Sequence, residues 1–169
     1  VEERQRALEA LSDDCKYNRI EMHDKKIGII TSGISYQYAR EALGDNASYL
    51  KLGMVNPLPV QLIKDFAAKV GKVYVIEELD PIIENHCKAI GVDVVGKEQF
   101  SILGEFNQKT VEQAFDIADK TVFRLDTAVP VRPPMMCAGC PHRGMYFVLA
   151  KNKLTVLGDI GCYTLGAMP

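Results

Sequence analysis

No stretch of this chain approaches the roughly 20 apolar residues that a membrane-spanning helix needs, so no such helix is expected. Nor does the charged start, Glu2-Glu3-Arg4, read as a secretory signal. There is no initiator methionine, from which an excised piece of a longer protein is expected. A Gly-x-Gly-x-x-Gly pattern and a P-loop lysine are both missing, which leaves Thr31-Ser32-Gly33 a poor phosphate cradle. Disulfide scaffolding is equally poorly supplied. The five cysteines are an odd number with one close pair, Cys137 and Cys140, and a reducing cytoplasm is the expected location.

What is present is ordinary for a globular domain: 47% hydrophobic and 25% charged residues over 169 positions, room for one domain and part of another. The net charge of −2 is unevenly spread. Residues 1–24 hold four basic and seven acidic side chains, residues 25–128 twelve and fourteen, and the remainder four basic side chains against Asp159 alone. A cationic end suits an anionic ligand and is equally compatible with a solvated face.

Residues 1–24 predict a helical start, with Ala7, Leu8 and Leu11 as an apolar stripe, followed by a linker. From Lys25 onward, strands alternate with helices. Ile27–Ile30, Tyr49–Leu52, Val73–Ile76 and Val92–Val95 predict strands. Helices are expected from about Ser35 to Leu43, through Leu62, Ile63, Phe66 and Val70, and from Pro81 to Ile90 with Asp80 as the cap. Thr110-Val-Glu-Gln113 predicts a capping box opening a last helix with Phe115, Ala118 and Val122 on its apolar face. This alternation implies an α/β fold built on a parallel sheet. Val129-Pro-Val-Arg-Pro133-Pro134 is a stiff connector, and a second unit opens near Met135 with a strand expected at Leu154–Leu157.

Chemistry concentrates in that second unit. Cys137 and Cys140 form a CxxC turn, and Cys162 follows a strand-end loop, Gly158-Asp159-Ile160-Gly161. Two thiolates from a tight turn and a third further on suit an iron–sulfur or zinc site, or redox chemistry, or close packing of a corner. His142 and Arg143 either contact an anionic or reacting group or hydrogen-bond the corner. Asp159 either meets Mg²⁺ or a polar ligand edge or caps its turn. Glu77-Glu78, at a strand's C-terminal end, sits where open α/β sheets place ligand groups, though such pairs are more often solvated or paired.

Cys137-Ala-Gly-Cys-Pro-His-Arg-Gly144 and Gly158-Asp-Ile-Gly-Cys-Tyr-Thr-Leu-Gly166 resemble the α subunit of indolepyruvate ferredoxin oxidoreductases, with Asn18-Arg-Ile-Glu21 and Ile27–Gly33 in supporting order. The resemblance implies a thiamine-diphosphate enzyme that oxidatively decarboxylates aryl 2-oxo acids to aryl-acetyl-CoA and passes electrons to ferredoxin. It implies a transketolase C-terminal-like domain over residues 25–128 and, over 135–169, the truncated start of a thiamine-diphosphate-binding domain whose Mg²⁺ motif lies further on. Cys137, Cys140 and Cys162 resemble ligands of a 4Fe-4S cluster. Gly158, Asp159, Ile160, Gly161 and Cys162 would lie near the cofactor, and His142 would face the active site. Ferredoxin, a smaller β subunit and CoA are the implied partners and co-substrate, with no nucleic acid and no membrane among them. The competing expectations are a non-catalytic α/β assembly module with a zinc or structural cysteine corner, and a zinc-binding α/β domain unrelated to thiamine.

Overall fold

A computed structural model describes residues 1–117 and 126–167, and the chain divides into two compact units, Val1–Thr121 and Val122–Pro169. The first unit opens with α1 (Glu2–Asp13) and β1 (Arg19–Glu21), followed by β2 (Ile27–Ser32), α2 (Ser35–Leu43), β3 (Ser48–Leu52) and α3 (Val60–Ala67). β4 (Lys72–Ile76), α4 (Ile82–Ala89) and α5 (Gln108–Ala114) complete it. Among the described residues the sheet order is β1-β3-β2-β4, with β2 parallel to both β3 and β4.

Alternation along the strands supplies both faces with apolar side chains. Ile29, Tyr49 and Tyr74 point to the face covered by α2 and α5, where Tyr36, Leu43, Phe100 and Val111 meet them. Ile30, Leu50 and Val75 point to the other, against Ile63 and Phe66 of α3 and Ile83 and Cys87 of α4. A strand whose successive side chains are both buried reads as a continuous apolar run, as Ile27–Ile30 and Val73–Ile76 do.

Several expectations change. Residues 19–21 are β1 rather than linker, and they pair antiparallel with β3, so the sheet is mostly and not wholly parallel. Their neighbours are equally tied down: the Asn18 amide oxygen accepts from the Gly53 and Met54 amides, and Asp13 Oδ1 accepts from Gln61 and Leu62 N–H at the start of α3. Val92–Val95 contributes a single parallel bridge, Tyr74 to Val95, because Gly96 turns the chain away at once. Asp80 does not cap α4. Its first turn is satisfied by Glu77, whose two carboxylate oxygens accept from Ile83 and Glu84 N–H at 2.8 and 2.9 Å. Asn107, not Thr110, caps α5, its side chain accepting from Thr110 N–H at 3.0 Å. Ala118 and Val122 lie outside the described residues.

The second unit holds α6 (His142–Lys151) and α7 (Cys162–Ala167). Leu154–Leu157, expected as a strand, forms none among the described residues. Neither helix buries a residue fully.

Candidate functional site

The cysteine corner is a tight turn. Cys140 N–H donates to the Cys137 carbonyl at 3.2 Å, and Gly139 takes φ +72°, the left-handed region where glycine carries no Cβ penalty. Arg143, one residue into α6, reaches back: Nε donates to the Cys137 carbonyl at 3.1 Å and a guanidinium nitrogen to that of Met136 at 2.7 Å. Arg143 therefore holds the corner by hydrogen bonding, one of the two roles open from the sequence. Cys140 Sγ lies 3.3 Å from His142 Nδ1, whereas Cys137 is exposed. Cys162 is exposed at the first position of α7. Among the described residues no three His, Cys, Asp or Glu side chains converge into a group able to hold a metal ion. The donor set is one pair in a turn, Cys137 and Cys140, with Cys162 apart from it.

His142 belongs to a trio of rings, 6.0 Å from Tyr146 and 5.8 Å from Tyr163 by centroids, with the two tyrosines 6.2 Å apart. These tyrosines border a cavity of about 470 Å³, lined also by Leu154, Val156, Gly158 and Asp159. The backbone is built around them: a Cβ on Gly166 would lie 2.3 Å from the Tyr146 ring, and one on Gly158 would lie 3.2 Å from Cβ of Tyr163. Gly161 adopts φ +143°, and its carbonyl accepts from Thr164 N–H in the first turn of α7. The Tyr146 hydroxyl is buried and has no hydrogen-bond partner among the described residues. Burial, then the nearby Tyr163, Cys162, Cys140 and Asp159, hold its pKa above the usual phenol value. An orphaned buried hydroxyl beside a cavity marks where a polar ligand atom would be accommodated. Of the residues expected near a cofactor, the structure thus brings Gly158 and Asp159 to the cavity. His142 reaches it only through the tyrosines, and Ile160 is almost fully exposed.

In the first unit the C-terminal ends of β2 and β4 border a larger crevice, about 960 Å³, at the point where the connections diverge, β2 leading to β3 on one side and β4 lying on the other. Ser32, Gly33, Glu77, Glu78 and His86 line it, with Ile34, Leu79 and Ile82 exposed at its rim. The carboxylate pair is occupied structurally: Glu77 caps α4, and Glu78 Oε1 accepts from Phe106 N–H at 2.8 Å. Burial pushes the Glu77 pKa up against the pull of its two amides and the coulombic attraction of Lys97. His86 Nε2 is buried without a partner among the described residues, and burial lowers its pKa. Neither His86 nor Tyr146 carries a signal in the sequence, because each matters only through an atom left unpaired by the fold.

No family model matches the chain. Its sequence is 35% identical to the indolepyruvate oxidoreductase subunit IorA of Pyrococcus abyssi over 86% of this chain and 26% of that protein. For the IorA of Archaeoglobus fulgidus the identity is 34%, over 94% and 29%. For that of Methanothermobacter thermautotrophicus it is 31%, over 99% and 31%. The chain thus spans between a quarter and a third of the length of the relatives it matches. Among solved structures, a 2-oxoglutarate:ferredoxin oxidoreductase from Magnetococcus marinus with 2-oxoglutarate, coenzyme A and succinyl-CoA bound superposes with a TM-score of 0.52. That match has 21% identity and covers 63% of this chain and 20% of the other, a likeness of fold alone.

Proposed function

We propose that this chain, a sequence relative of the IorA subunits over most of its length, serves a thiamine-diphosphate-dependent indolepyruvate:ferredoxin oxidoreductase. The observation that carries the reading is an identity of 31% sustained over 99% of the chain, so that both units fall within the match. In this reading residues 25–128 are the transketolase C-terminal-like domain, 129–134 a connector, and 135–169 the opening part of the cofactor-binding domain. Residues 1–24 join the first of these through β1. The substrate class is aryl 2-oxo acids, with CoA taking the acyl group, ferredoxin taking electrons, and a smaller β subunit completing the enzyme.

Bound thiamine diphosphate supplies the electron sink for decarboxylating a 2-oxo acid. The residues of the second unit fit the border of such a group. Gly161 keeps the loop backbone open to close approach, whereas Gly158 leaves room for the Tyr163 side chain. The Tyr146 hydroxyl offers a hydrogen bond that no described residue takes up. Asp159 is the one acidic side chain lining the cavity, which suits Mg²⁺ or an amino group better than phosphate oxygens. Ile160 and Cys162 complete the loop, and His142 acts as a positioning residue by packing on Tyr146 and Tyr163.

The test is a chimera in which this chain replaces the matching segment of an IorA subunit, assayed for CoA-dependent oxidation of indolepyruvate with a dye or ferredoxin as acceptor. Retained aryl 2-oxo acid oxidation supports the assignment. A chimera that assembles and oxidises only non-aryl 2-oxo acids removes the indolepyruvate part. One that assembles and oxidises none removes the enzyme reading and leaves an assembly role, to which the apolar rim of Ile34, Leu79 and Ile82 would contribute.

A further inference from the structure

The crevice at the C-terminal ends of β2 and β4 has no part in the chemistry proposed for the second unit. We propose that, independently of that chemistry, it binds a small organic cation: a protonated amine carried on an apolar body. Its volume, about 960 Å³, and its place beyond the strand ends of an α/β sheet are those of a ligand site. The walls are largely apolar. Leu58 and Ile83 are buried there, while Ile34, Val55 and Ile82 stay exposed, side chains that remain solvated until something apolar covers them.

Charge sets the sign of the ligand. Every charged side chain lining the crevice other than neutral His86 is acidic: Glu9, Glu77, Glu78 and Asp80. Glu77 is spent on the first turn of α4, and Glu78 gives one oxygen to Phe106 N–H. Asp80 caps no helix and is exposed. Lys97 Nζ donates to the Glu77 carbonyl but does not line the crevice, so the excess charge is negative. His86 adds a directed group. Its Nε2 is buried with no partner among the described residues, and burial keeps the ring neutral at pH 7. With its proton on Nδ1, such a ring accepts at Nε2. A cation that donates hydrogen bonds answers both the carboxylates and this acceptor, whereas an anion is repelled by the carboxylates.

Strain is retained at the rim as well. Leu79 lines the crevice at φ +56°, a left-handed conformation that a bulky side chain adopts at a cost, and it is 64% exposed. Glycine would fit that backbone without strain; leucine gives the crevice apolar surface instead.

The test is a titration of the 169-residue chain with 2-phenylethylamine, followed through the ring signals of its three histidines by NMR, with His86 assigned from His86→Gln. Saturable shifts of the His86 signals are expected, with those of His23 and His142 unmoved. 3-Phenylpropionate, of similar size and opposite charge, is expected to bind at least about tenfold more weakly. Asp80→Asn should weaken the amine about fivefold. Leu79→Gly should weaken it too while leaving Tm no lower, a combination that a merely structural role for Leu79 would not produce. No saturable shift at His86, 3-phenylpropionate binding as tightly as the amine, or Asp80→Asn binding like wild type would each overturn the proposal. Unchanged affinity in Leu79→Gly would overturn the role given to the strained leucine.

Discussion

Glu77 shows how a single side chain changes meaning between sequence and structure. As one of two adjacent carboxylates at a strand end it sits where ligand groups are expected; in place it closes the first turn of α4 with both oxygens. Glu77→Ala is expected to lower stability by about 1–2 kcal/mol, the worth of a helix cap at the upper end of its range, measured by urea unfolding. Glu84 is its counterpart in titration. Burial alone would raise its pKa, but the hydrogen bonds from Lys88 Nζ at 2.6 Å and Lys97 N–H at 2.8 Å outweigh that and leave it lowered. A lowered folded-state value means that Glu84 binds its proton more weakly in the fold than in the unfolded chain. Its contribution is therefore complete above the ordinary carboxylate pKa and is lost as the pH falls through the folded value. Unfolding midpoints followed from pH 7 to pH 3 should drop less steeply for Glu84→Gln than for the wild type. Gly53 shows the same dependence on context: a Cβ there would lie 2.4 Å from the Tyr17 carbonyl oxygen, a backbone atom that cannot swing aside. Gly53→Ala is expected to cost about 1–3 kcal/mol, as overpacking does, and a Tm equal to wild type would show that the Tyr17 loop yields freely.

At the level of elements, what the sequence made legible followed from local rules. The apolar runs at Ile27–Ile30 and Val73–Ile76 placed β2 and β4, and the segment from Ser35 to Leu43 coincides with α2. Gly44 ends that helix at φ +55°. What stayed hidden depends on distant partners. β1 is three residues with two charges, and only its pairing with β3 makes it a strand. Its carboxylate Glu21 accepts from Tyr36 and pairs with Arg40, 15 and 19 positions away, separations that no helical or strand period predicts; only its pair with Arg19, two positions back, follows the strand period. The start of α3 is satisfied by Asp13, 48 positions earlier, so no inspection of residues 56–62 would find its cap. In the second unit the CxxC motif was visible from spacing alone, but the fold joins Cys140 to His142 rather than to Cys162.

Taken whole, the described residues contain no helix long and apolar enough to cross a membrane. The two units differ in how they are covered. The first has a buried layer on each side of its sheet. The second leaves Met135, Phe147, Leu157 and Ile160 exposed. Its cavity is lined by one carboxylate and no lysine or arginine, so nothing there neutralises a diphosphate. Calorimetric titration of the 169-residue chain with thiamine diphosphate and Mg²⁺ is accordingly expected to give no measurable heat of binding. Tight binding would show that the chain by itself supplies a diphosphate anchor.

The pairing of β1 along β3 has a practical consequence for anyone shortening the protein. Residues 1–24 look dispensable, yet they shield the backbone N–H and C=O groups on the outer side of Ser48–Leu52. Trimming them would bare a flat apolar strand margin, Tyr49 and Leu50 included, of the kind that recruits strands from other molecules. Light scattering of a version beginning at Lys25 should therefore rise with concentration under conditions where the longer chain stays dispersed.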